Sequence, residues 1–206
     1  MARAWIRYTA VVSPLSDVQF SRFTETEVAK LLTFGSGGLL EVMVPLTDDE
    51  RRDIEAHLKE HFRLSLALQV KASHVLYGRG RIPRFQKSFT VKAERLIEDE
   101  FFWYFFGFMD LRSMAFREPV FLVPSHVVHA EAVHRRKDDL IYFNFVASMD
   151  PKSKDRWRPY ACAPAEVAGR VVSFLKAYSG HRRAALTMTA PGRLPDGTIW
   201  VGRPAA

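Results

Sequence analysis

The alternation of apolar and polar positions divides the chain into short segments set off by glycine, proline and charged turns. Residues 5–14, WIRYTAVVSP, alternate as a strand does. Residues 20–34, FSRFTETEVAKLLTF, place Phe23, Val28, Leu31 and Leu32 at helical spacing; Thr24 caps this helix and Glu27, three residues on, completes a capping box. The glycines of GSGG stop it, and LLEVMVPL (39–46) follows as a strand. Residues 64–72 of LSLALQVKAS predict a strand with Leu64, Leu66, Leu68 and Val70 on one face. YGRGRIPRFQK (77–87) reads as a basic loop, and residues 89–100 as a short helix. FFWYFFGFMD (101–110) is apolar at successive positions, as suits a central strand covered on both sides. PVFLVPS and LIYFNFVAS are two further strands. Pro164 starts a helix with Val167, Val171, Leu175 and Tyr178 in one stripe, and Gly180 ends it.

One segment fits two elements. In TDDERRDIEAHLKEHF (47–62), a helix uses Thr47 as cap, acids in the first turn, and Ile54, Leu58 and Phe62 at every fourth position. A strand beginning near Asp53 instead points Ile54, Ala56 and Leu58 one way and Asp53, Glu55 and His57 the other. Local propensity favours the helix.

The order of elements predicts an α/β fold, a mixed central β-sheet flanked by helices. Residues 1–180 form one domain. Residues 181–206, rich in Gly and Pro with a PDG turn before TIWV, form a tail or a hairpin. The 206 residues, 48% hydrophobic and 13% aromatic, are ample for a core and exclude wholesale disorder. The longest apolar run has nine residues, against about 20 for a spanning helix, so no membrane role is expected. Cys162 is the single cysteine, which rules out an internal disulfide and a Cys-based zinc cluster, and suits a reducing, cytoplasmic compartment. Lys and Arg outnumber Asp and Glu by 30 to 23, an excess compatible with a polyanionic partner.

That charge acquires meaning from Gln69 and Lys71, which share the face of their strand opposite the leucines. A hairpin through EHFR brings Asp53, sixteen positions before Gln69, against them if 47–62 contains a strand. A carboxylate, an amide oxygen and an ammonium would then converge. Hard oxygens hold Mg²⁺ (or Mn²⁺), the ion activates water and polarises phosphate, and the lysine steadies developing charge. The plain alternatives are a strand end emerging into solvent and a solvated helix face.

Asp53 followed by Gln69-x-Lys71 on adjacent strands resembles the PD-(D/E)xK nuclease superfamily, in its Q-x-K variants such as Mrr-like restriction endonucleases. The resemblance spans residues 22–178. It implies a restriction-endonuclease-like fold and Mg-dependent endonuclease activity on DNA, and it is compatible with a homodimer. It also implies Asp53 as principal metal ligand, Gln69 in the second acidic position, and Lys71 supporting the attacking water. The helix glutamate of that family matches Glu27, with Glu25 as rival. Gln69 leaves the site one negative charge short, Asp48 and Asp49 compete with Asp53, and the superfamily includes inactive members. A catalytically inactive module binding nucleic acid or protein is therefore the alternative, and an unrelated globular domain with 47–62 helical is a third.

Arg79, Arg81, Arg84 and Lys87 follow the lysine strand and are expected to contact phosphates, or else to decorate a solvated loop. His126, His129 and His134 match no zinc spacing and read as separate surface histidines. The aromatic run 101–108 reads as core, and Cys162 as a buried thiol.

Overall fold

The structure, a computed structural model, describes residues 15–46, 51–78 and 82–185, and side chains as far as residue 179. Among the described residues, three helices, α1 (Asp17–Gly35), α2 (Ser125–Glu131) and α3 (Val167–Ala185), accompany ten strands. The strands are β1 (Leu40–Met43), β2 (Ile54–Leu58), β3 (Ser65–Ser73), β4 (Leu76–Tyr77), β5 (Arg84–Lys92), β6 (Phe102–Asp110), β7 (Ala115–Pro124), β8 (Val133–Lys137), β9 (Leu140–Ser148) and β10 (Ala161–Cys162).

They build a mixed six-stranded sheet, β1-β2-β3-β6-β7-β10, and a four-stranded antiparallel sheet, β4-β5-β9-β8. In the larger sheet β3 and β6 run parallel, and the other neighbours are antiparallel. Helices α1 and α3 pack on one face of it, where Val28, Leu32, Val171 and Leu175 join Leu66, Leu68 and Val70 in one core. The second sheet and α2 cover the opposite face, through Phe85, Phe143, Phe145 and Val128 against Tyr104, Phe106 and Phe121. The α/β class with a mixed central sheet flanked by helices is thus the observed architecture. The continuous apolar character of β6 follows from its place between two cores: Phe105 and Met109 serve the helical side, while Tyr104, Phe106 and Phe108 serve the other. At Gly107, beside a register shift against β7, a Cβ would come within 2.7 Å of the Phe116 ring.

Residues 54–58 form a strand. Four residues of a β2–β3 ladder, Ile54↔Leu68 to His57↔Ser65, outweigh the helical propensity of that segment. Several expectations need correction. Helix α1 starts at Asp17, capped by Ser16 in a reciprocal box with Gln19. Thr24 lies within the helix, buried, its hydroxyl donating to the Ser21 carbonyl. The expected helix at 89–100 is instead the end of strand β5 followed by a 3₁₀ turn, Ala93–Arg95. Arg84 and Lys87 lie on β5 rather than on a loop. Gly180 does not end α3, which continues to Ala185. The strand expected at 5–14, the cap Thr47 and its neighbours Asp48 and Asp49, the arginines Arg79 and Arg81, and the turn at 195–197 fall outside the described residues.

Candidate functional site

The β2–β3 ladder ends at Ile54↔Leu68, but β3 runs on to Ser73 alongside β6. At this parting of strands stands Asp53. Its N–H donates to the Leu68 carbonyl at 3.0 Å, and its Oδ2 accepts from the Val70 N–H at 2.7 Å. The carboxylate thus takes the acceptor place that a further β2 residue would fill. Val70 is the residue between Gln69 and Lys71, so Asp53 is anchored to the backbone of the Gln-x-Lys segment.

Gln69 and Lys71 register with Tyr104 and Phe106 of β6, both members of the core shared with the second sheet. Their side chains therefore belong to the face opposite α1. Gln69 is buried, with 5% of its surface exposed, and its Oε1 has no hydrogen-bond partner among the described residues. An acceptor stranded in this way costs on the order of 1–3 kcal/mol. The Lys71 Nζ lies 5.9 Å from the centroid of the Phe89 ring, at the outer limit of a cation–π contact. Arg51 completes the rim: it has φ 57°, in the left-handed region, and its guanidinium donates to the Thr90 carbonyl at 3.2 Å, tying the approach to β2 onto β5. Arg52 pairs with Glu55.

The other expected residues lie elsewhere. Glu27 is on α1, which packs against the opposite face of β3, and its carboxylate pairs with Lys30 at 2.6 Å. Glu25 pairs with Arg22 at 2.9 Å. Arg84 is exposed. Lys87 has the parity of Phe85 and Phe89, so it lies on the inward face of β5, half-buried; burial pushes its ammonium pKa down, opposed by the charge of Asp17.

Among the described residues, no three of His, Cys, Asp and Glu gather as a metal cluster. The oxygen donors carried by this stretch are the Asp53 carboxylate, bonded to the Val70 N–H, and the buried Gln69 amide oxygen.

One buried polar group was missed by the sequence reading. His129 is not a surface histidine. It is 7% exposed, with Nε2 at 3.1 Å from the Tyr104 hydroxyl and Nδ1 at 3.3 Å from Glu98 Oε1. Burial lowers its pKa, against the opposing pull of Glu98, and burial raises that of Tyr104. The spacing of Ser125–Glu131 offered a helical face for His129, but its partners come from β6 and the loop before it, beyond the reach of local pattern.

No family model and no curated protein matches this chain. Among solved structures it is similar to a bacterial homing endonuclease, I-Ssp6803I, at 13% identity and a TM-score of 0.47, over 82% of this chain and 99% of the other. No described helix is long and apolar enough to cross a membrane.

Proposed function

We propose that this protein is a metal-dependent nuclease that hydrolyses DNA phosphodiester bonds where β2 and β3 part. The observation that carries this reading is the 2.7 Å bond from the Val70 N–H to Asp53 Oδ2, which fixes a carboxylate beside Gln69 and Lys71. The stranded Gln69 Oε1 supports it, because a buried acceptor without a donor suits a cation. Mg²⁺ commonly takes one or two carboxylates and fills its remaining positions with water and phosphate oxygens, so a carboxylate and an amide oxygen fit Mg²⁺ or Mn²⁺. Asp53 and Gln69 would hold the ion. Bound there, it supplies Lewis-acid polarisation of the phosphate and a water acidic enough to attack at neutral pH. Lys71 stabilises the charge that develops on the phosphate oxygens and orients the attacking water. Phe89 limits the wandering of its long side chain. Glu27, paired with Lys30 on the helix behind β3, is left without a ligand role in this reading.

The single carboxylate also favours a second reading, a nuclease-like module that binds DNA without cutting it, since the donor set is one charge short of a paired-acid site. Incubation of supercoiled plasmid with Mg²⁺ or Mn²⁺ separates the two. Nicking that disappears in EDTA and in both Asp53→Ala and Lys71→Ala supports the enzyme. Intact plasmid under every metal condition, with retained DNA binding, supports the module.

A further inference from the structure

The second sheet has an outer face that the proposed site does not use. Side chains at Phe85, Phe89, Phe143 and Phe145 point into the core. The alternate positions face away, and the register sets them in rows. Lys92, Leu140 and Lys137 make one row, followed by Thr90, Tyr142 and Arg135. Ser88, Asn144 and the exposed Val133 make the next, then Gln86 and Val146, and Arg84 lies at the far end opposite Ser148. Cations thus sit at the two ends, with neutral groups between, the amides of Gln86 and Asn144 and the Ser88 hydroxyl beside Val133 and Val146. None of the residues of β5, β8 and β9 is Asp or Glu; the nearest acids in sequence, Asp138 and Asp139, form the β8–β9 turn. Among the described residues no carboxylate pairs with Arg84, Lys92, Arg135 or Lys137. A sheet face that carries cations and no carboxylate is electrostatically complementary to an anionic partner.

The central groups are ordered. Asn144 Oδ1 accepts from both Gln86 Nε2 at 3.2 Å and Ser88 Oγ at 3.1 Å, which occupies its oxygen and leaves recognition of a partner to its amide N–H groups. The Arg135 guanidinium lies 5.1 Å from the Tyr142 ring centroid, held across the strand pair. A concavity of about 360 Å³ opens here, with Ser88, Arg135, Tyr142 and Asn144 in its lining.

We infer that this outer face is a docking surface for duplex DNA. Charged groups at the ends suit phosphates, and ordered neutral donors between them suit base edges. Adjacent strands lie about 4.8 Å apart, so the β8–β9 hairpin has the width of a ribbon that the B-form major groove admits. Single strands are disfavoured because Tyr142 is the one aromatic on this face of β5, β8 and β9, and stacking platforms need several. Duplex RNA is disfavoured because its major groove is too narrow for side chains to read. The inference shares with the proposed function the assumption of a DNA partner, but not its metal chemistry.

The test is fluorescence anisotropy with a 20-base-pair DNA duplex in EDTA across a salt series, using the full chain. The combined variant Arg84→Ala/Lys92→Ala/Arg135→Ala/Lys137→Ala is expected to bind at least tenfold more weakly than wild type. The slope of log K against log salt should fall by about 3 to 4, from roughly 0.9 per phosphate contact. Glu94→Gln, a substitution outside both this face and the proposed site, should bind as wild type does. Circular dichroism confirms that each variant is folded, and Asn144→Ala, which removes no charge, should weaken binding with an unchanged slope. Unaltered affinity and slope in the fourfold variant would overturn the surface while leaving the nuclease reading standing. Equal or tighter binding of the matching RNA duplex, or of single-stranded DNA, would overturn the choice of partner. If the fourfold variant loses affinity and slope as expected yet wild type shows no metal-dependent nicking, the nuclease reading fails and the surface survives.

Discussion

Gln69 offers a test in which stability and function should move in opposite directions. Its Oε1 is buried without a donor, a deficit of about 1–3 kcal/mol. Gln69→Met keeps the unbranched shape and removes the stranded acceptor. After loss of the amide's other interactions, the expected gain in EDTA is about 1 kcal/mol. For a domain of this size that raises Tm by about 2–4 °C. Gln69→Glu should do the reverse without metal, because it buries a second carboxylate beside Asp53. Mg²⁺ then reorders the series. A ligand at a hundred times its Kd stabilises the folded state by about 2.7 kcal/mol, or roughly 5–11 °C at the same conversion. The Mg²⁺-induced rise in Tm should be largest for Gln69→Glu, intermediate for wild type, and absent for Gln69→Met. Differential scanning calorimetry with EDTA and with Mg²⁺ reads all six values. A destabilised Gln69→Met, or one that keeps the full response to Mg²⁺, would refute the reasoning, since Gln69 would then be an ordinary core amide.

Lys71→Ala should abolish plasmid nicking while leaving the Mg²⁺-induced rise in Tm intact, because it alters charge stabilisation and not the donor set; calorimetry beside a nicking assay checks this. Asp53→Ala should lower Tm in EDTA, because the Val70 N–H loses its charged acceptor at a cost of about 1.5–3 kcal/mol. The lowered pKa of His129, caused first by burial, means that the unfolded chain takes up its proton more readily. That contribution to stability is present above the ordinary value of 6.5 and is lost as pH falls from there towards the folded pKa, so His129→Phe should flatten the decline of Tm with acidification. Gly107→Ala should cost about 1–3 kcal/mol, from overpacking against Phe116 and Phe105, seen as a lower denaturation midpoint in urea.

The parts of the fold visible in sequence were those whose pattern burial alone dictates. β3 and β9 alternate because one face meets a core, and β6 is apolar throughout because it meets two. The shared face of Gln69 and Lys71 was legible for the same reason, from strand parity, and the length of the hairpin set Asp53 against the Val70 backbone between them. β2 was ambiguous because its local composition caps and propagates a helix, and only pairing with β3 decides against it. β5 was lost because Lys87 occupies an inward position and breaks the apolar alternation of Phe85, Phe89 and Val91. The division of strands between two sheets was also beyond reach. It depends on β4 and β5 leaving the larger sheet between the parallel neighbours β3 and β6, where a crossover helix is the usual solution. The inner helix boundary at Gly180 failed because one glycine costs a helix only about 1 kcal/mol, which packing overrides.

The claim on which the function rests is that Asp53 and Gln69 share one divalent cation. Crystals grown with Mn²⁺ and measured at an anomalous wavelength test it directly. The expected result is a single anomalous peak about 2.1–2.2 Å from both the Asp53 carboxylate and Gln69 Oε1, a little longer than the Mg²⁺–oxygen distance, and its loss in Gln69→Met. A water or a protein donor against Gln69 Oε1, with Mn²⁺ elsewhere or absent, would contradict the account.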